Sequence, residues 1–216
     1  MNWLRLMESG WFIPMPRSSK TVFNYLIIIL LAAISCTGKD PMREQQVLPV
    51  ELNDSAYLIV RLGDGYFSNI FRKVSSEEKR YSHSGIIYRG DESYKVYHIE
   101  ANELTGKGIV KDEPLESFIS HSREWALFAI NAPNPIKLEI VRQARIFYES
   151  EIPFDLDFDL SSDDKLYCSE LVAKSINNAF GEELITPGLH IAGHPFYGLD
   201  DIYMHDLFHC LYDSSE

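Results

Sequence analysis

Three side chains in the 216-residue chain have the chemistry of a thiol-based site: Cys168, His83 and Glu100. Cys168 stands in Leu166-Tyr167-Cys168-Ser169-Glu170-Leu171-Val172. From there Leu171, Val172, Ser175, Ile176 and Ala179 recur at helical spacing, and Gly181 follows as a stop. The spacing predicts a helix that starts at or near Cys168. A cysteine there has free backbone N–H groups and the positive end of the helix dipole beside its sulfur. Both favour the thiolate, the form that attacks carbonyls. A buried, inert cysteine at a helix start is the plain alternative.

His83 opens an apolar stretch and Glu100 closes the next one. If 81–89 and 94–101 pair as a hairpin about the turn 90–93, the two residues lie close across it. A carboxylate beside an imidazole orients the ring and supports its charged form. Alternation places Val96, His98 and Glu100 on one face, so His98 competes with Glu100 for that role.

The elements that must carry these residues can be read in chain order. Residues 56–62 are apolar and β-branched and predict a strand, turned by Gly63-Asp64-Gly65. A short amphipathic helix is expected over 66–74, and a glycine-broken strand over 106–111. A short helix over 114–119 has proline in its first turn. An apolar strand follows at 125–130 and a helix at 136–149, with Ile136, Ile140, Val141, Ala144 and Phe147 on one face. Residues 153–160 alternate acid with apolar and predict an edge strand. The stretch 186–212, with four histidines and five aromatics, predicts a packed C-terminal segment.

Net charge is −12. Residues 1–35 carry three basic residues and one acid, which leaves −14 on the rest. Such a surface repels phosphate backbones and argues against nucleic acid as a partner. Val22 to Ile34 is the only long apolar run, short for a spanning helix. Arg17 and Lys20 precede it and Ser35-Cys36 ends it, the pattern of a signal peptide over 1–35, with Met15 as an alternative start. Cys36 resembles the lipidated cysteine of bacterial lipoproteins. That implies a polar tether over 36–50, a folded domain over 51–216, and anchoring in the bacterial cell envelope, facing periplasm or exterior. An uncleaved anchor helix is the alternative.

Other chemistries have weaker support. Asp155, Asp157 and Asp159 offer oxygens at every second residue, as a calcium loop would, but without the glycine and distal glutamate of an EF-hand. His205 and His209 have a metal-compatible spacing without the flanking glutamate of a zinc protease. A Cys168–Cys210 disulfide is the bland use of the two remaining thiols.

Taken in order, Ser82-His83-Ser84-Gly85-Ile86-Ile87, Ile99-Glu100-Ala101, Gly108-Ile109-Val110 with Leu115 and Phe118, and Tyr167-Cys168-Ser169-Glu170-Leu171-Val172 resemble the circularly permuted papain-like NlpC superfamily. The nearest branch looks like the YiiX/YebB-like cysteine hydrolases, relatives of lecithin–retinol acyltransferase. The resemblance implies an α+β fold, a small antiparallel sheet or barrel packed on helices with the nucleophile at a helix N-terminus. It implies hydrolysis of an amide or ester with Cys168 as nucleophile, His83 as base and Glu100 as orienting group, and neither metal nor organic cofactor. The Cys168 amide, with Tyr167 and Ser169, is the expected oxyanion and substrate contact. Substrates are peptidoglycan-type peptides or fatty acyl amides or esters. A non-catalytic lipid- or ligand-binding lipoprotein of the same fold is the alternative.

Overall fold

The computed structural model describes residues 48–191 and 193–216. The expected signal peptide over 1–35, Cys36 and most of the expected tether lie outside the described residues. Among the described residues, no helix is long and apolar enough to cross a membrane.

The centre of the domain is β1 (Ala56–Leu62), buried at every position. It is flanked by β2 (His83–Arg89) and β5 (Glu124–Ile130), and the six-stranded sheet runs β4-β3-β2-β1-β5-β8. Here β3 is Tyr94–Ile99, β4 Val110–Pro114 and β8 Phe208–Asp213, and every neighbouring pair is antiparallel. The sheet is covered on both faces. That is why β1 reads as a continuous apolar run rather than an alternating one.

On one face lie α3 (Asn134–Glu149) and α4 (Cys168–Phe180), against Leu58, Val60, Ile86 and Tyr88. On the other, Leu115, Phe118 and Ile119 of α2 (Leu115–Ser120) pack on Tyr57, Ile59, Ile87 and Val96. A short α1 (Tyr66–Phe71) follows β1. A hairpin of β6 (Leu189–Ile191) and β7 (His194–Phe196) and the turn-long α5 (Asp200–Tyr203) precede β8. The chain thus has the expected α+β architecture, an antiparallel sheet packed on helices.

Several elements differ from the sequence expectation. Helix α1 stops at Phe71, three residues early, with Lys73 and Val74 bonded back in turns. The glycine-broken strand does not form over 106–111. Gly106 has φ of 67°, and Gly108 packs so closely that a Cβ there would lie 2.0 Å from the Glu100 carbonyl oxygen. The strand begins only at Val110. The acidic stretch 153–160 is not an edge strand either. The buried Asp155 carboxylate accepts the Asp157 and Asp159 amides, at 2.9 and 2.7 Å, so the alternation is local turn chemistry. Asp159 accepts from the Ser161 amide and Asp157 pairs with Lys165, so these carboxylates are engaged within their own loop rather than converging on a calcium ion. Cys168 and Cys210 are both free thiols. His205 follows α5 while His209 lies on β8, so they share no helix.

Candidate active site

Helix α4 starts at Cys168, as its periodicity requires, and ends at Gly181, whose φ of 72° suits only a residue without Cβ strain. The Glu170 carboxylate reaches back to the Tyr167 amide at 3.3 Å and pairs with Lys174 at 2.8 Å. The Tyr167 hydroxyl accepts the Tyr197 amide at 2.8 Å, and its ring stacks on Phe196. The Ser169 hydroxyl donates to the Tyr197 carbonyl at 2.7 Å. The Ser169 hydroxyl is therefore committed to the 196–197 segment, whereas the Tyr167 hydroxyl, which only accepts there, keeps its own hydrogen to donate. The main-chain amides of Cys168 and Ser169 remain beside the sulfur.

Those amides do not make Cys168 a thiolate. The residue is only 4% exposed. Burial, the largest influence, pushes the thiol up to about 11 against the opposing amides of Ser84, Ser169 and Cys168. The dipole argument correctly names the stabilising groups, but desolvation outweighs them.

The base side of the site is built on the neighbouring strands. Arg61 lies opposite His83, and Gly85 opposite His98, which lies opposite Lys111. His83 Nε2 and His98 Nδ1 are 2.9 Å apart. Glu100, just past the end of β3, has Oε2 3.9 Å from His83 Nε2. Its oxygens are bound more closely by Arg61 at 2.6 Å and Lys111 at 2.9 Å. Phe118 stacks on His83 and receives Arg61 over its ring at 4.2 Å. Arg61, His83, Glu100 and Lys111 border an open, polar cavity of about 580 Å³ whose walls include Asp64, Glu103, Glu113 and His121.

Burial opposes ionisation of Glu100, yet its carboxyl is held far below the usual range. A charged His83 would help, but His83 is itself held neutral, so Arg61 and Lys111 are the lasting cations.

Cys168 and His83 meet the sheet differently. The thiol belongs to the core under α3 and α4, beside Ser84, whereas His83 stacks on Phe118 of the opposite core. Among the described residues no hydrogen bond joins them. Both approach the sheet at the first two residues of β2. Sequence reasoning missed Arg61, Ser84 and Glu113. Arg61 had a signal: a lone charge inside an apolar strand.

Gly85 makes the histidine pair fit. A Cβ there would lie 2.5 Å from Val96 Cγ1 and 2.9 Å from the Tyr97 carbonyl oxygen. Gly85→Ala is expected to cost about 1–3 kcal/mol of stability by forcing β2 from β3. A denaturant midpoint equal to that of the parent protein would refute this close packing.

Both imidazoles are held neutral. Burial is the main cause for each, joined by Arg61 and His98 at His83 and resisted by Glu113 at His98. Unfolded, each titrates near 6.5, so below that pH the unfolded chain binds more protons. Their stabilising contribution is full above about pH 6.5 and falls as pH drops. Glu170 acts oppositely. Burial raises it from 4.5 to about 7, so its contribution is present below pH 4.5 and is lost as pH rises toward 7. Urea titrations at pH 7.5 and 5.5 should show a smaller acid loss in His98→Asn than in the parent. An equal loss would mean His98 is not buried neutral.

The fold and the thiol at a helix start define a permuted papain-like α+β protein. The chain belongs to the permuted papain-like amidase family YaeF/YiiX, C92, which it matches over residues 63–188. It is also similar to the crystal structure of metalloprotein yiiX from Escherichia coli O157:H7. That match has a TM-score of 0.61 and 16% identity, and covers 74% of this chain and 97% of the other. No curated protein matches the sequence. Family membership makes the chain one of the cysteine-hydrolase type.

The metalloprotein description belongs to that neighbour. Among the described residues here, the one group of three metal-ligand atoms within 4.8 Å is His83, His98 and Glu100. Two cations already hold both Glu100 oxygens, and the facing histidine nitrogens bond each other. A metal ion bound there would have to displace these bonds.

Proposed function

We propose that this protein is a cysteine hydrolase that cleaves an amide or ester bond, with Cys168 as nucleophile, His83 as base and Glu100 as the charge that steadies the base side. The observation that carries this reading is the seat of Cys168 at the N-terminus of α4, its sulfur among the main-chain amides of Cys168, Ser169 and Ser84. The amide of Ser84 immediately follows the candidate base in the chain.

With thiol and imidazole both neutral, the proton moves during attack rather than before it. As Sγ bonds to the substrate carbonyl carbon, the thiol proton passes to His83. The oxyanion takes hydrogen bonds from the helix-start amides, donors of a kind worth about 3 kcal/mol each in well-studied hydrolases. His83 then protonates the leaving group, and water releases the acyl-enzyme. This requires His83 and the thiol to close at the start of β2. Catalytic hydrogen bonds are commonly long or misaligned before substrate binds. The amidase character of the family favours amides. The substrate classes are peptidoglycan-type peptides and fatty acyl amides or esters, reached from a lipid anchor on Cys36 in the bacterial envelope.

The test is intact-protein mass spectrometry after incubation with cell-wall and lipid extracts. An acyl adduct on Cys168 is expected, and its mass identifies the substrate class. The same measurement on protein from membranes should show a lipidated Cys36 as the new N-terminus; an unmodified residue 36 would remove the anchor.

The burial of Cys168 favours one rival, a non-catalytic lipid- or ligand-binding lipoprotein of the same fold. Ligand retained without any adduct, and unaffected by His83→Ala, would select it.

A further inference from the structure

The paired histidines share one hydrogen bond, and a third group decides which of them donates it. His83 Nε2 faces His98 Nδ1 at 2.9 Å. The other nitrogen of His98, Nε2, is buried and has no well-aligned hydrogen-bond partner, and the same holds for Glu113 Oε1. These two atoms face each other at 3.3 Å. Glu113 reaches this position from β4, diagonal to His98 across the β3–β4 ladder. Phe118 packs on both rings, stacked against His83 and edge-on to His98, which confines their rotation.

A carboxylate only accepts hydrogen bonds. Next to it, His98 Nε2 must carry a hydrogen. A neutral His98 is then bare at Nδ1, which can only accept. His83 must therefore carry its hydrogen on Nε2 and donate it to His98, leaving the lone pair on His83 Nδ1. The competing acceptor, Glu100, is farther away at 3.9 Å, and both its oxygens are held by Arg61 and Lys111. The burial that keeps both rings neutral agrees with one proton per ring.

We infer that Glu113 is a positioning residue which, through His98, fixes His83 in the Nε2–H tautomer and so makes Nδ1 the basic nitrogen of the site. This rests on the reading of His83 as the base only for its consequence in catalysis. The tautomer itself is a property of the resting protein. The orienting role expected of Glu100 then passes to the His98–Glu113 pair, and Glu100 acts as the counter-charge of Arg61 and Lys111.

The experiment is long-range proton–nitrogen NMR on uniformly ¹⁵N-labelled protein, with His83→Gln and His98→Gln used for assignment. His83 and His98 are both expected as single Nε2–H tautomers at pH 7.5. In Glu113→Ala the pattern should become a mixture, and in Glu113→Gln, whose amide oxygen still accepts, it should persist. An Nδ1–H tautomer at His83 in the parent protein overturns the inference without recourse to any variant. An unchanged pattern in a folded Glu113→Ala does the same for the role of Glu113. Should the protein hydrolyse a substrate, Glu113→Ala is expected to lower kcat by about 10-fold or more with little change in KM, because a disordered tautomer removes the base and not the binding surface. Absence of hydrolysis in the parent protein would count against the proposed function and leave the tautomer result standing.

Discussion

Replacing Cys168 with alanine is expected to lower hydrolysis by at least about 10⁴-fold while the protein remains folded. The size follows from the role. Without the sulfur no acyl-enzyme forms, and only the helix-start amides and substrate binding remain to promote direct attack by water. The small structural cost follows from the setting. The thiol is one of many groups in the core beneath α3 and α4, and it carries no disulfide. Its removal deletes a single buried heavy atom, at a cost of about 1 kcal/mol by analogy with other small core truncations. Activity and thermal unfolding measured on the same preparation separate the two effects. Hydrolysis undiminished in the variant would end the proposed mechanism.

The rate of Cys168 alkylation by iodoacetamide is expected to climb about tenfold per pH unit from pH 7 and level off only near pH 11, where burial places the thiol. An ordinary helix-start cysteine, favoured by dipole and amides alone, would instead react fully at neutral pH. The sign is set by the thiolate fraction. Below its pKa the reactive form grows tenfold with each unit, so the fraction at pH 7 is about 10⁻⁴. Cys210, exposed on β8, and Cys36 compete for the reagent, so the measurement uses the Cys36→Ser, Cys210→Ser double variant and reads adduct mass over time. A plateau reached by pH 8 would show that the thiol is solvated, or paired with a charged His83.

The sequence carried the site unevenly, and the reasons are physical. The start of α4 at Cys168 and its stop at Gly181 are local facts, written in periodicity and in one residue that tolerates positive φ. The closeness of His83 and Glu100 followed from hairpin register, and they do meet, at 3.9 Å. What periodicity does not encode is desolvation. Nothing in Tyr167-Cys168-Ser169-Glu170 says that the fold will bury the sulfur, so the expected thiolate became a buried thiol. Glu113 was hidden by a displaced strand. With β4 placed over 106–111, Lys111 is its last residue and Glu113 falls outside. With β4 at Val110–Pro114, alternation puts Lys111 and Glu113 on the face of His98. The acidic run 153–160 misled because an Asx turn and a half-solvated strand share one composition.

The strand order has a consequence for how the molecule assembles. His83, His98 and Glu113 sit on three successive strands, β2, β3 and β4, joined by short connections, so their meander closes through contacts between near neighbours in the chain. Cys168 comes from a helix that must dock onto β2 across a long loop closure. Local pairings form ahead of distant ones. The histidine half of the site is therefore expected to assemble while the thiol is still in water, and pulsed alkylation during refolding should find Cys168 reactive after the β2–β4 amides are protected. Oxidants have their best access to Cys168 in that interval, and docking of α4 ends it.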